Sequence, residues 1–256
     1  MTFQRAMLCL VCGMVAGCGT PEPAPGGNSL PSGDGYVMVY STAPFLSGIG
    51  IDLRPNVSAT FLSDGALSSY RASNDERLEL GGASATVGSS DGVATTGSWS
   101  GGPTSGRFYN TKPNGDFTFT PNRDGFHYAI SRPAASLPSG TVSYVLVGAS
   151  QPTKSDGVAP GTLDTGAVSI DFAANKVGVE LKATLDGSPF TLTTTGGTAT
   201  PASSEGVLNA DRKFFFANTP AYGFRGFVGD DGHIILSYTL FFGSQTLNGA
   251  AVLQTP

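Results

Sequence analysis

Val168-Ser169-Ile170-Asp171-Phe172 and Val177-Gly178-Val179-Glu180-Leu181-Lys182-Ala183 place an apolar residue at every second position. Successive side chains of a strand point to opposite faces, so each run has one face for a core and one for water. Asp186-Gly187 then leads into Phe190-Thr191-Leu192-Thr193, which repeats the alternation. Asp231-Gly232 joins Phe224–Val228 to Ile234–Leu240 in the same way. Asp-Gly and Asn-Gly tolerate the positive φ of tight hairpin turns. Hairpins that follow one another with one apolar face must stack as a sandwich or close as a barrel.

The same punctuation runs through the chain. Asp-Gly recurs at 34–35, 64–65, 91–92, 124–125 and 156–157, and Asn-Gly at 114–115 and 248–249. Strands are expected near 36–40, 57–62, 66–71, 77–80, 93–99, 106–109 and 117–120. From Gly125 onward they are expected near 126–130, 141–147, 166–172, 177–185, 189–195, 212–217, 222–228, 233–242 and 246–253. Leu67–Leu80 carries Arg71, Asp75, Glu76 and Arg77; it reads as a short helix or a polar strand pair.

Composition agrees. Of 256 residues, 36 are Gly and 17 Pro, and only 13% are charged. Glycine is at about twice its usual share and charge at about half. The Ala-, Glu-, Lys- and Leu-rich runs of a helical protein are missing. With 39% hydrophobic and 10% aromatic residues, a disordered chain is excluded. The net charge of −5 and the lack of a basic run exclude an electrostatic footprint for nucleic acid. The expected fold is all-β: an eight-stranded antiparallel C-terminal β-barrel over 125–256, preceded by a smaller β region over 36–124.

The first residues read as an address. Arg5 precedes an apolar stretch from Ala6 to Val15 that is too short to span a bilayer. It ends in Val15-Ala16-Gly17-Cys18, which resembles the lipobox of bacterial lipoproteins. The resemblance implies removal of residues 1–17, a diacylglycerol thioether on Cys18 and an N-linked acyl chain. Several chains together anchor stably where one is marginal. Cys9 and Cys12 would leave with the signal, so no intramolecular disulfide remains possible. Residues 18–35, rich in Pro, Gly and Ser, read as a flexible tether behind the lipidated cysteine. Gly19, where an Asp would favour inner-membrane retention, points to the outer membrane.

A second resemblance covers about 126–253. Leu137-Pro138-Ser139-Gly140-Thr141-Val142-Ser143-Tyr144, Gly148-Ala149-Ser150-Gln151-Pro152-Thr153, Gly161-Thr162-Leu163 and Ser169-Ile170-Asp171-Phe172 follow His127-Tyr128-Ala129-Ile130. With Gly226-Phe227-Val228-Gly229 and Gly249-Ala250-Ala251-Val252, they resemble the β-barrel of transferrin-binding-protein-like surface lipoproteins. The resemblance implies a surface lipoprotein carrying an eight-stranded barrel. The chain is much shorter than a bilobed transferrin receptor, so transferrin binding is not carried over.

Chemistry is sparse. Gly97-Ser98-Trp99-Ser100-Gly101 has Trp where a nucleophile elbow needs Ser. His127 and His233 are the only two imidazoles, too few for a zinc site. Asp230 and Asp231 lack EF-hand spacing and read as a solvated turn. His127 or Tyr128 could ligate haem, although each reads first as a packed strand residue. Phe214-Phe215-Phe216 must place aromatic surface on both sides of its strand, and Tyr222 follows closely. Such a strand is covered on both faces or meets a partner. Trp99 and Tyr109 have the same two readings. The expectation is a non-enzymatic, lipid-anchored outer-membrane protein with no cofactor beyond the acyl chains. Its barrel would present the loops 148–165 and 196–211 to a host protein or small ligand. The alternatives are a barrel holding a small apolar ligand or haem inside, and a purely structural envelope lipoprotein.

Overall fold

The computed structural model describes residues 29–42, 51–72, 76–107, 117–119, 125–154, 161–185, 187–193, 206–207, 212–218, 222–242 and 245–256. The described chain is all-β. The N-terminal strands are β1 (Gly33–Thr42), β2 (Ile51–Phe61), β3 (Leu67–Arg71), β4 (Arg77–Glu79), β5 (Ser84–Ser90), β6 (Ala94–Ser100), β7 (Thr104–Arg107), β8 (Phe117–Phe119) and β9 (Phe126–Ser131). They form one antiparallel sheet in the order β5-β6-β9-β1-β2-β3-β4-β7-β8. The C-terminal strands are β10 (Thr141–Ala149), β11 (Thr153–Lys154), β12 (Thr162–Asp171), β13 (Lys176–Leu185), β14 (Ser188–Thr193), β15 (Gly206–Val207), β16 (Lys213–Asn218), β17 (Tyr222–Val228), β18 (His233–Phe242) and β19 (Gln245–Gln254). Eight of them follow the order β14-β13-β12-β10-β19-β18-β17-β16, with β11 added beside β19 and β15 beside β13.

Both sheets curl. In the first, the Trp99 indole N–H donates to Leu67 O at 2.6 Å, and the Leu67 amide donates to the Tyr128 hydroxyl at 2.8 Å. Trp99 lies on β6 and Leu67 on β3, four places apart in the sheet order. They meet because the sheet bends around Tyr36, Met38, Tyr40, Tyr70, Phe126 and Ile130. In the second sheet Tyr144 and Val168 on one flank share a core with Phe214 and Phe224 on the other. The described pairings include no ladder between β14 and β16, so this sheet is curled and eight strands wide rather than a shown closed barrel. The two sheets then pack back to back through Val37, Val39, Ala129, Ile235, Ala250 and Val252.

The central strands are therefore buried on both faces. All six residues of Phe126–Ser131 are buried: Phe126, Tyr128 and Ile130 enter their own sheet's core, while Ala129 meets the other sheet. Ile234, Leu236, Tyr238 and Leu240 line the C-terminal core, and Ile235 lies on the seam. The near-continuous apolar runs of these strands reflect two covered faces. β9 also lies across the division expected at 124/125, because it pairs with β1 and β6 of the first sheet. The change of sheet follows Ser131.

Local details match the turn chemistry. Asp231 (φ 48°) and Gly232 (φ 69°) both adopt positive φ in the β17–β18 hairpin, as a type I′ turn requires. The described residues of 67–80 form two strands, β3 paired with β4, and Asp75 lies outside them. Leu30 is buried against the N-terminal core and Tyr36 donates its hydroxyl to Pro31 O at 2.6 Å. The described end of the expected tether thus belongs to the body.

Strand glycines have a common cause. Gly97, Gly226 and Gly249 lie directly across the ladder from Tyr128, Phe214 and Tyr238. In each pair a Cβ on the glycine would strike the aromatic ring or its hydroxyl. The ring lies over the bare backbone, a cross-strand arrangement that lets a curved sheet close over its core.

Candidate functional site

Trp99 is fully buried and packs on Phe126 with ring centroids 4.9 Å apart. Tyr128 is fully buried, and burial raises its phenol well above the ordinary value. The structure thus seats both inside the N-terminal core. Phe215 lies on β16 opposite Arg225, and Tyr222 on β17 opposite Leu240; their side chains lie outside the described residues. Cys18 and Tyr109 also lie outside them.

His127 is fully buried, with Nδ1 3.0 Å from Ser150 Oγ and Nε2 2.8 Å from Thr153 Oγ1. Both ring nitrogens thus face hydroxyls. Ser150 Oγ also accepts the Ala250 amide at 2.9 Å, so the imidazole ties β9 to β19 and to the segment after β10. His233 bridges in the opposite sense: Nε2 lies 2.8 Å from Asp91 Oδ2, in the β5–β6 turn. Both imidazoles of the chain therefore span the seam between the sheets. Sequence spacing alone could not show this, because the residues joined are 142 positions apart for His233 and Asp91.

An ionic chain spans the seam elsewhere. Arg225 on β17 holds Asp52 Oδ1 at 2.5 Å, and Arg54 holds Asp52 Oδ2 and Glu76 Oε2, each at 2.5 Å. The Tyr70 hydroxyl donates to Glu76 Oε1 at 2.8 Å, and the Arg54 guanidinium lies 5.5 Å from the Tyr40 ring centroid. Glu76 is fully buried. Carboxylates so paired are positioned for cohesion, since both oxygens of Asp52 and of Glu76 are taken up by protein donors.

The described residues fill the concave side of the C-terminal sheet with apolar side chains. Two polar atoms stand out there: the Tyr144 and Tyr238 hydroxyls, which meet no hydrogen-bond partner among the described residues. Burial pushes the Tyr144 phenol up to about 12 and that of Tyr238 still higher.

Among the described residues, one opening with room for a ligand lies outside, between the sheets. It is a groove of about 510 Å³ lined by Thr86–Gly88 of β5, Leu146–Ala149 of β10, Ser150–Pro152 and Gly161–Leu163. None of these lining residues is ionisable. Val147 on its wall is 49% exposed, and Val145, two residues back on the same strand face, is 42% exposed. The sequence pointed to part of this region through the loop 148–165. It missed β5, because Ser84-Ala85-Thr86-Val87-Gly88-Ser89-Ser90 has too few β-branched or aromatic residues to read as a strand.

No protein-family model matches the chain, and no curated protein matches it. Among solved structures, a Bacteroides fragilis protein provisionally described as an outer membrane protein is similar at 16% identity. The match covers 88% of this chain and 96% of that one, with a TM-score of 0.23.

Proposed function

We propose that this chain is a lipid-anchored protein of the bacterial outer membrane whose two-sheet body binds a partner without catalysis. The observation that carries the binding role is the groove between β5 and β10: open, lined by backbone, hydroxyl and apolar groups, and without an ionisable side chain among the described lining residues. Such a lining offers hydrogen bonds and apolar contact but no acid, base or nucleophilic pair. The Val15-Ala16-Gly17-Cys18 motif supports the anchor, and the Pro- and Gly-rich residues after it support a spacer from the lipid surface. The curled C-terminal sheet fits the barrel of the transferrin-binding-protein-like lipoproteins that 126–253 resembles. Its apolar concave side favours binding on the outside over a ligand held within.

Fractionation of a Gram-negative host expressing the full chain tests the reading. The wild type should sediment with outer membranes and partition into detergent, and Cys18→Ala should become soluble. A Cys18→Ala protein that stays with the membranes would remove the anchor from the account.

A further inference from the structure

We propose that the groove between β5 and β10 takes one extended, uncharged peptide segment of another protein, added as a strand along the outer edge of β5. This inference rests on the binding reading above and names the class of partner. Among the described residues, β5 ends the first sheet's strand order and pairs only with β6. A Cβ at Gly97 would strike Thr86 O, so the Thr86 carbonyl points into the β5–β6 ladder. Backbone groups of an antiparallel strand alternate in direction, so those of Ala85 and Val87 point outward, to the groove side. A row of outward amides and carbonyls is the template for strand addition.

Edges are normally guarded, and both ends of the C-terminal sheet's strand order are. β14 carries Pro189 and β16 carries Lys213. β5 runs Ser-Ala-Thr-Val-Gly-Ser-Ser with neither proline nor charge. Instead it is flanked by β10, whose outward Val145 and Val147 supply an apolar wall. Gly88 and Gly148 let the walls meet at one end: a side chain at Gly88 would run into the Ala149 carbonyl, and one at Gly148 into Ser89. The register slips at the same place, between Val87 and Ser89. An added strand therefore stops there.

The occupant follows from volume and charge. About 510 Å³ admits a short single segment, not the edge of a second two-sheet body. Among the described residues, a chain of net charge −5 has placed no ionisable side chain on this lining. A charged side chain entering it would be desolvated without a counter-charge. Apolar or hydroxyl side chains at alternate positions of the peptide match Val147 and Thr86.

The test uses random peptides seven residues long, the length of β5, selected on the full chain and resynthesised for affinity measurement. Selected peptides should lack Asp, Glu, Lys and Arg at alternate positions. Val87→Pro removes an outward amide and Val147→Lys puts an ammonium in the groove. Each should weaken binding about tenfold or more, while Thr141→Lys, exposed at the far end of β10, should bind as wild type. N-methylation of alternate peptide amides should have the same effect as Val87→Pro. Melting curves establish that each variant folds, and Val147→Lys keeps the test intact if Val87→Pro does not. Failure to select any binder, or selection of binders indifferent to both groove variants, overturns the proposal. So does a self-association that Val87→Pro abolishes, which would assign the edge to a second copy. Peptides that bind elsewhere on the body would sink the groove and leave the binding role standing; the anchor is judged separately by Cys18→Ala.

Discussion

Nε2 of His233 lies 2.8 Å from Oδ2 of Asp91, joining the start of β18 in one sheet to the β5–β6 turn of the other. The other Asp91 oxygen accepts the amides of Val93 and Ala94, each at 2.9 Å. Burial alone would raise the Asp91 carboxyl, but the amides of Ala94 and Val93 and the His233 imidazole outweigh it and hold the carboxyl below its ordinary value. A carboxyl depressed in the folded state contributes stability above its unfolded value, about 4, and loses it as pH falls through the folded one. Asp91→Ala should cost about 1 kcal/mol at neutral pH, a small figure because the side chain is 44% exposed. It should also flatten the fall in urea midpoint below about pH 4. An unchanged acid slope in the variant would separate Asp91 from the seam's acid sensitivity.

Arg54 faces Asp52 and the fully buried Glu76. Arg54→Ala leaves the Glu76 carboxylate without its cation, at a cost of about 3–5 kcal/mol. Arg54→Met combined with Glu76→Leu should recover much of that loss, because no lone charge then remains buried. Urea denaturation of Arg54→Met, Glu76→Leu and the double variant measures the coupling. Additive losses would mean that the pair does not act as a unit.

Gly226 sits under Phe214, where a Cβ would meet the ring itself. Gly226→Ala should cost about 1–3 kcal/mol by forcing the ring from its place. Phe214→Ala removes the obstacle, so Gly226→Ala in that background should cost far less than alone. Equal costs in both backgrounds, read from chemical denaturation, would refute the cross-strand explanation for the strand glycines.

Burial raises the phenols of Tyr40, Tyr70, Tyr128, Tyr144 and Tyr238, that of Tyr144 to about 12. A raised phenol favours the folded state up to the unfolded value, about 10, and draws the protein toward unfolding as pH rises beyond it. Phenolate absorbance should therefore grow together with loss of circular dichroism above about pH 10. A smooth titration of all eight tyrosines in a protein that stays folded would contradict the burial.

Much of the strand pattern was legible in the sequence, because alternation in 168–193 and the Asp231-Gly232 turn report directly on local backbone geometry. The segment 67–80 remained ambiguous there, since its charges suit a helix face or a strand pair equally. The seam between sheets was only partly legible: Phe126–Ser131 reads as an ordinary strand until β1, β6 and β19 are placed around it. Trp99 could be weighed only as core or contact, and Tyr128 only as core or haem ligand, because residues such as Leu67, which holds both, are brought close by curvature rather than by sequence. The groove was half legible. Its β10 wall follows from the unbroken apolar run Tyr144-Val145-Leu146-Val147, whereas β5 carries almost no strand signal of its own.

Mass spectrometry of the mature chain isolated from a Gram-negative host tests the central claim most directly. The account predicts a protein that begins at Cys18, with a diacylglycerol thioether on its sulfur and an acyl chain on its amino group. A chain that keeps residues 1–17, or one that begins elsewhere with no lipid attached, would contradict it.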